Sequence, residues 1–305
     1  MDNVMLLGTS SAFPTKERNH PALYMSLDGK RVLFDCGEGT QRQIRVAGLS
    51  PSIDYMFLTH WHGDHSLGVG GIIQSLNMMR RKEQLYIYGP QGTGSSVNHI
   101  LATYRFHSEI QIKAKSLDLK KETFITKIGR FSVYGINVMH TTKCIGYKIK
   151  EDDQLNIKHE FLKKNKIKSG VFLQALKKGK DIVYEGKKFL AKEATYLKRG
   201  KSLVYLTDLG YDKNLYRFAR GADVLVIEST WSSEFENQAK EFGHLTARQA
   251  LEVAKYADVG KVYLTHFSQR YEDMSVFKEE LSDIVKKLKL KPKVFVSNDF
   301  ERINF

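Results

Sequence analysis

His60-Trp61-His62-Gly63-Asp64-His65 is the stretch that decides the fold, because it gathers three imidazoles and one carboxylate within six residues. It directly follows the β-rich run 55–58, which predicts a loop at the end of a strand. Imidazole and carboxylate ligands suit zinc or manganese. Four such donors are too many for one tetrahedral site that also keeps an open position, and with further donors they are enough for two ions. The stretch therefore predicts a metal centre at a strand end.

Further metal donors follow other predicted strands. His140 comes after the β-rich run 131–138, Asp208 after 203–207 and His266 after 262–265. A single His or Asp in such a place is more often a turn or surface residue. Ligand sites of α/β proteins gather at the carboxyl ends of strands, so the recurrence of the pattern favours one shared site.

The rest of the chain alternates strand-like runs with helical stretches. A capping box of Thr246 and Gln249 predicts a helix over Ala247–Tyr256, and a second helix is predicted over 276–288. The remaining elements are strands at 4–7, 22–26, 32–35, 145–149, 224–227 and 294–296, and a helix through 72–79. This pattern predicts one layered α/β domain over residues 1–305.

Positive charge is concentrated in one segment. The chain carries 48 Lys and Arg against 34 Asp and Glu, a net charge of +14. Residues 158–201 hold fourteen basic and four acidic side chains, so that +10 of this charge lies there. We predict an inserted basic arm over residues 152–201 with nucleic acid as its partner. A solvated lysine-rich loop is the alternative.

Several protein classes are excluded. No apolar run approaches the roughly 20 residues that a membrane span requires, and no secretory signal is recognisable, so we expect a cytoplasmic protein without membrane contact. Cys36 and Cys144 are too few for a disulfide framework and are expected to be buried reduced thiols. The metal ligands must then be His and Asp.

The His-x-His-x-Asp-His stretch, with His140, Asp208 and His266 behind it, resembles the metallo-β-lactamase superfamily. That resemblance implies a four-layer αββα sandwich with two metals at the edge of paired sheets. Four more stretches are similar to the ribonuclease Z family, endonucleases that remove 3′ trailers from precursor tRNA. They are Leu-Leu-Gly-Thr-Ser at 6–10, Pro-Thr-Lys-Glu-Arg-Asn at 14–19, Phe-Asp-Cys-Gly-Glu-Gly-Thr-Gln at 34–41 and His-Phe-Ser-Gln-Arg-Tyr at 266–271.

The resemblance implies a role for each ligand. One divalent ion would be held by His60, His62 and His140, the other by Asp64, His65 and His266, with Asp208 as the bridge. Zn²⁺ is the expected metal and Mn²⁺ the alternative. Asp64 is the candidate general base or else orients the attacking water. His244 would protonate the leaving 3′-oxygen or stabilise the phosphate.

Substrate contacts are expected at four more positions, Lys16, Arg18, Asn19 and Arg270. Glu38 and Glu228 are candidates for hydrogen bonds to the ligand histidines. The family precedent implies precursor tRNA as the substrate, a 3′-hydroxyl on the tRNA and a 5′-phosphate on the trailer. It also implies a homodimer in which the arm of one subunit grips the tRNA bound by the other.

Two other functions remain open on the sequence. A small-molecule phosphodiesterase or arylsulfatase of the same fold would share the metals but would not need the basic arm. A non-catalytic RNA-binding module would show gaps among the ligands, and all seven are present.

Overall fold

A computed structural model of the chain describes residues 3–104, 110–271 and 273–304. In chain order, its strands are β1 (Val4–Gly8), β2 (Ala22–Leu27), β3 (Lys30–Phe34), β4 (Tyr55–Phe57), β5 (Leu85–Pro90), β6 (Ile112–Leu117), β7 (Thr123–Ile128), β8 (Phe131–Val138), β9 (Cys144–Glu151), β10 (Gln154–Ile157), β11 (Ile182–Tyr184), β12 (Lys187–Phe189), β13 (Thr195–Lys198), β14 (Ser202–Leu206), β15 (Val224–Glu228), β16 (Lys261–Thr265) and β17 (Lys293–Val296). The helices are α1 (Thr40–Val46), α2 (Gly63–Ser66), α3 (Val69–Met78), α4 (Thr93–Tyr104), α5 (His159–Lys164), α6 (Leu173–Lys177), α7 (Ala191–Ala194), α8 (Asn214–Phe218), α9 (Glu236–Phe242), α10 (Ala247–Tyr256) and α11 (Ser275–Leu288).

The first sheet runs in the order β1-β2-β3-β4-β5-β6. Strands β1 to β3 are antiparallel, and β3 to β6 are parallel. Side chains alternate between two cores: Leu23 pairs with Phe34 on the face toward the second sheet, and Tyr24 pairs with Leu33 on the helix-covered face. Both faces are buried, which explains why these strands read as apolar runs.

The second sheet runs in the order β17-β16-β15-β14-β9-β8-β7, with β14 to β17 parallel. Every residue of β15 is buried, including Glu228 at its carboxyl end. Parallel strands bring their carboxyl ends to one edge of a sheet. Asp208 follows β14 and His266 follows β16, so both side chains arrive at that edge.

Three apolar clusters define the layers. The cluster between the sheets contains the aromatic side chains Phe34, Phe57, Phe131, Tyr147, Tyr205 and Tyr263. A second cluster joins the first sheet to α1, α3 and α4 through Ile44, Ile72 and Val97. A third joins the second sheet to α8, α10 and α11 through Phe218, Leu251 and Phe277. The predicted αββα sandwich is therefore confirmed.

Local sequence signals predict several element boundaries well. Helix α10 begins after Thr246, whose Oγ1 accepts from the Gln249 amide while Gln249 Oε1 accepts from the Thr246 amide, the capping box expected from the sequence. Strand β8 has its predicted bounds. Strands β6 and β7 and helices α4, α8 and α9 were not predicted, because their runs are short or mix polar residues with apolar ones. Strand β5 was not predicted either, although its Leu-Tyr-Ile-Tyr run is typical of a strand.

Residues Lys150–Lys201 form a second compact unit. It contains the antiparallel pair β10–β13, the hairpin β11–β12 and the short helices α5 to α7. Its core is small, built around Ile167, Leu176 and Ile182. Most of its lysines are exposed.

Two further sequence expectations can be compared with the described residues. Cys36 and Cys144 are both free and buried. Burial raises the pKa of each thiol, which keeps both protonated. Within the described ranges, the helices include none with both the length and the apolar character of a membrane span.

Candidate metal centre and active site

The predicted ligands converge from several strand ends. The 60–65 stretch follows β4 and turns into α2. Asp208 is the second residue after β14, and His266 is the first residue after β16. Asp208 and His266 have positive φ angles of 55° and 61°. Asp and His tolerate this left-handed backbone better than most residues, but it still costs conformational free energy. Such strained residues are common at functional sites.

Gly37 permits close packing against the 60–65 stretch, here called the ligand loop. A Cβ atom added at this position would lie 2.2 Å from the Asp64 carbonyl oxygen and 2.4 Å from the His20 Cβ. Real Cβ atoms do not approach backbone oxygens so closely, so any larger residue would push the loop outward. Gly37 therefore lets the backbone that carries Asp64 pack directly on the segment after β3.

Two groups of donor atoms form around Asp208. His60, His62, His140 and Asp208 make one group, and Asp64, His65, Asp208 and His266 make the other, each with its donor atoms within 4.8 Å of one another. Asp208 Oδ2 lies 3.6 Å from His60 Nε2 and 3.7 Å from His140 Nε2. Asp208 Oδ1 lies 3.2 Å from His65 Nε2 and 2.9 Å from His266 Nε2. Each oxygen of this carboxylate thus faces a different group, which is the arrangement of a bridging ligand.

The other ring nitrogen of several ligands is held by the protein. His65 Nδ1 donates to Asp35 Oδ2 at 2.8 Å, and His140 Nδ1 donates to the Gly243 carbonyl at 2.9 Å. Both acceptors lack a hydrogen, so Nδ1 carries the proton and the Nε2 lone pair faces the cluster. His266 Nδ1 lies 2.9 Å from Thr230 Oγ1. Asp35 and Gly243 thereby set the direction in which two of the ligands point.

Asp35 was not predicted as a site residue. It is fully buried with φ 57°, and its carboxylate accepts from the Thr59 amide and from Tyr205 Oη in addition to His65. Tyr205 belongs to β14, so this carboxylate links the two sheets beneath the ligands. The signal was available, because Asp35 is also an acidic residue at the end of an apolar strand.

The charges of the cluster favour a cation. Burial raises the pKa values of Asp64 and Asp208, but the neighbouring His65 and His266 lower them further, so both carboxylates are ionised. Burial alone would lower the pKa of His266, yet Asp208 raises it to about 10. Two ionised carboxylates in a buried place require positive charge. Without a metal, protons on His65 and His266 have to supply it.

His60 provides a direct test of whether a metal fits. Its Nε2 is buried and has no hydrogen-bond partner among the described residues. Burial lowers the pKa of His60 well below its usual value, so the ring is neutral and its lone pair is available. A buried polar atom without a partner is costly unless an ion or water satisfies it. The donor set therefore fits two divalent cations.

His244 lies beside the cluster and pairs with Glu228. Its Nδ1 is 3.2 Å from both Glu228 carboxylate oxygens, and the ring centroid is 5.3 Å from that of His140. Glu228 is fully buried and also accepts from the Leu209 and Leu245 amides. Burial lowers the pKa of His244, but Glu228 raises it more, and the net shift is upward. The pair keeps a proton on His244 near neutral pH.

Glu228 and Glu38 differ from the sequence expectation. Glu228 contacts His244 and reaches the ligand His266 only through Thr230 Oγ1, which donates to it at 2.6 Å. Glu38 is exposed, and its backbone carbonyl accepts from the Asn19 side chain.

Two cavities open at the cluster. One of about 400 Å³ has Asp64, His62, Asp208 and His266 in its lining, together with aromatic residues such as Phe13. Another of about 610 Å³ is bounded by α9 and by Tyr211. His140, Thr141 and His244 line both cavities. The acid–base candidate His244 therefore stands between two spaces, and the ligand carboxylates face only the first.

The predicted substrate residues have different environments. Arg270 lines the 400 Å³ cavity, and its guanidinium lies 5.3 Å from the Trp231 ring centroid. Lys16 is exposed. Arg18 is buried and donates to the Ser297 carbonyl at 2.7 Å and to Asn298 at 3.1 Å, which fastens its loop to the segment after β17. Asn19 donates to the Glu38 carbonyl. The hydrogen bonds of the Arg18 guanidinium are thus made within the protein.

Comparison with known proteins gives two family matches. Residues 3–157 match a family described as anti-Pycsar protein Apyc1, and residues 194–267 match the beta-lactamase superfamily domain. A solved structure of human tRNase Z, short form, superimposes with a TM-score of 0.69 at 22% identity, covering 99% of this chain and 98% of that one. This likeness supports the metallo-β-lactamase fold.

Relatives found by sequence comparison identify the family more specifically than the solved structures do. Ribonuclease Z of Picrophilus torridus is 34% identical over 288 residues, covering 92% of this chain and 90% of its own length. Ribonuclease Z of Methanococcus maripaludis is 35% identical over 282 residues, covering 91% and 92%. The similarity covers 91–92% of this chain, and this chain therefore belongs to the ribonuclease Z family.

Proposed function

We propose that this enzyme removes the 3′ trailer of precursor tRNA by hydrolysing one phosphodiester bond, leaving a 3′-hydroxyl on the tRNA and a 5′-phosphate on the trailer. The observation that carries the proposal is the carboxylate of Asp208, which presents one oxygen to each of two buried histidine groups. Membership in the ribonuclease Z family supplies the substrate class.

Two divalent cations, Zn²⁺ by preference and Mn²⁺ as the alternative, would occupy the donor groups. His60, His62 and His140 would hold one ion, Asp64, His65 and His266 would hold the other, and Asp208 would touch both. When bound, such ions lower the pKa of water and neutralise the charge of the scissile phosphate. The Nδ1 hydrogen bonds of His65 and His140 keep the Nε2 lone pairs in place.

Asp64 is the residue proposed to act on the attacking water. Its carboxylate lines the 400 Å³ cavity, and His65 and His266 keep it ionised. An ionised carboxylate accepts a hydrogen bond from water and orients its lone pair toward phosphorus, and it takes the proton if it serves as the general base. Both proposed roles of Asp64, orienting the water and accepting its proton, require its carboxylate at the wall of this cavity.

His244 supplies the proton for the leaving 3′-oxygen. Glu228 raises its pKa, so the imidazole is protonated near neutral pH before the bond breaks. Glu228 also fixes the ring through Nδ1, which directs Nε2 away from the carboxylate. Protonation of a leaving alkoxide at this stage is general acid catalysis.

The substrate is held by positive charge on both units. Arg270 beside the catalytic cavity and exposed Lys16 are suited to backbone phosphates, which fix register without reading sequence. Arg18 and Asn19 serve this contact through the loop that carries Lys16: the buried Arg18 guanidinium donates to the Ser297 carbonyl, and the Asn19 side chain donates to the Glu38 carbonyl. The basic segment over residues 152–201 is proposed as the arm that binds the tRNA body.

A homodimer is the proposed assembly. Helices α1, α3 and α4 form the outer layer over the first sheet and carry large exposed apolar side chains, among them Val46, Met78 and Tyr104 at 56–73% exposure. Such a surface is suited to a second copy of the chain. Sedimentation at several protein concentrations tests this. Because its thiols are free and buried, the cytoplasm is the proposed compartment.

One experiment tests the function directly. Purified protein is incubated with 5′- and 3′-labelled precursor tRNA, and the ends of the products are mapped. The proposal expects one cut after the last tRNA nucleotide with the stated end groups. Stepwise shortening of the trailer would indicate an exonuclease. Hydrolysis of small phosphodiesters without any cleavage of precursor tRNA would support the small-molecule alternative instead.

A further inference from the structure

The 610 Å³ cavity beside His244 has no part in the chemistry described so far. Its lining includes Met139 and Tyr211 together with Asn237, Lys240 and Glu241 of α9. We refer to it as the Tyr211 cavity. Its volume is ample for one nucleoside, and cavities of this size are typical of small-ligand subsites.

The polar wall of the cavity comes from one face of α9. Glu236, Asn237, Lys240 and Glu241 all line it and all are exposed. Positions i, i+1, i+4 and i+5 share one face of a helix. Gln238 on the same helix is exposed but does not line the cavity. The helix therefore offers four hydrogen-bonding side chains to one occupant.

The charges of this wall favour a base over a phosphate. Two carboxylates face one ammonium group, so the wall carries more acceptors than a phosphate can use. The amino and imino groups of nucleobases are donors that such acceptors bind. Met139 is 61% exposed, and Tyr211 is partly exposed, which provides an apolar surface for the face of a ring.

The position of His244 decides which nucleotide would enter. Asp64, placed to orient the attacking water, lines the 400 Å³ cavity and not the Tyr211 cavity. In an in-line displacement the leaving oxygen departs opposite the attacking one. His244, the proton donor to that oxygen, lines both spaces. The sugar that carries the leaving oxygen is thereby directed toward the Tyr211 cavity.

We propose that the Tyr211 cavity binds the nucleobase of the last tRNA nucleotide, whose 3′-oxygen is the leaving group. This inference rests on the proposed function. Glu236 and Glu241 accept hydrogen bonds from amino or imino groups of the base, and Asn237 and Lys240 hydrogen-bond to its other polar atoms. Met139 and Tyr211 cover its face. The trailer nucleotide, which keeps the phosphate, stays on the side of Arg270.

The test combines variants with modified substrates. The double variant Asn237→Ala/Lys240→Ala removes polar contacts, and Asn237→Trp fills the cavity from an exposed helix position that tolerates a large side chain. Gln238→Ala on the same helix is the matched control. Three precursor tRNAs are compared: the intact RNA, one abasic at the last tRNA nucleotide and one abasic at the first trailer nucleotide.

On the intact precursor, the cavity variants should lower kcat/KM by about 10-fold or more, the size of one lost nucleobase contact. Gln238→Ala should behave as the wild type. The ratio of wild-type to variant kcat/KM should fall toward 1 when the last tRNA nucleotide is abasic and stay near its full value when the trailer nucleotide is abasic. The cavity variants should also weaken binding of the mature tRNA product.

Other results overturn the proposal. If the ratio falls toward 1 only with the abasic trailer nucleotide, the cavity holds the trailer base. If Asn237→Trp cuts the intact precursor like the wild type, the cavity is not a subsite. If the wild-type enzyme itself does not cut precursor tRNA, the proposed function fails first, and this outcome is distinct from the other two.

Discussion

The metal centre and the basic segment solve different physical problems. Around the metal centre, His60, His65 and Asp35 are fully buried, and hydrogen bonds fix the rings. In the Lys150–Lys201 unit, strands of three or four residues enclose a small core, and the charges lie at the surface. Metal ligation needs atoms placed within a few tenths of an ångström, whereas attraction to phosphates acts over a Debye length. The proposed chemistry therefore requires the buried sandwich, whereas the proposed attraction to RNA requires only surface charge on a small unit.

The largest effect is expected for Asp208→Ala. Loss of a carboxylate that faces both histidine groups should remove activity on every phosphodiester and lower the bound metal from about two ions per chain, the number that a two-metal site requires. Metal analysis and rates on bis(p-nitrophenyl) phosphate measure both effects. Exposed Asp118→Ala is the control. Full metal occupancy with normal turnover would contradict the bridging role.

His244→Ala should keep the metals and the affinity for RNA but slow cleavage by roughly 10²–10⁴-fold, the usual contribution of a general acid. A substrate with a better leaving group should lose less, because it needs less protonation. Single-turnover rates on both substrates measure the difference, with exposed His99→Ala as the control. An equal loss on good and poor leaving groups would assign His244 to phosphate positioning instead.

Replacement of residues 158–201 by a short linker separates affinity from chemistry. Hydrolysis of bis(p-nitrophenyl) phosphate should survive, because no proposed ligand lies in that segment. Binding of precursor tRNA should weaken, and the log–log salt dependence should flatten by about 0.9 for each lost contact with a duplex phosphate. Binding across a salt series measures this. An unchanged slope would make the segment a solvated loop, and loss of small-substrate hydrolysis would give it a structural role.

The smallest effect concerns Asp299. Burial raises its pKa to about 6, although hydrogen bonds from Asn19 and Thr9 oppose the shift. A carboxyl whose folded pKa is raised stabilises the protein below its unfolded pKa near 4, and this contribution is lost as pH rises through 6. The unfolding free energy of the wild type should therefore fall between pH 4 and 7. In Asp299→Asn that fall should be smaller by on the order of 1–2 kcal/mol. Urea unfolding across this range measures it, and parallel curves for both proteins would refute it.

The sequence predicts the candidate ligands but not the groups that orient their rings. His140 and His266 were found because each follows an apolar strand, whereas the Gly243 carbonyl and Thr230 hydroxyl that orient them come from segments more than 30 residues away. The 14–19 motif predicts an RNA contact for Arg18 but not the hydrogen bond that its guanidinium donates to the Ser297 carbonyl, 279 residues along the chain. Such pairings leave no periodic pattern.

The sequence by itself determined the fold class, the seven candidate ligands, the location of positive charge and the capped helix α10, because each depends on residue type and short spacing. Only the tertiary structure decided that the two oxygens of Asp208 face different histidine groups, that Glu228 pairs with His244 and that a second cavity lies beyond it. These features depend on which strand ends meet at one edge of the two sheets. Long-range packing, rather than local sequence, sets that meeting.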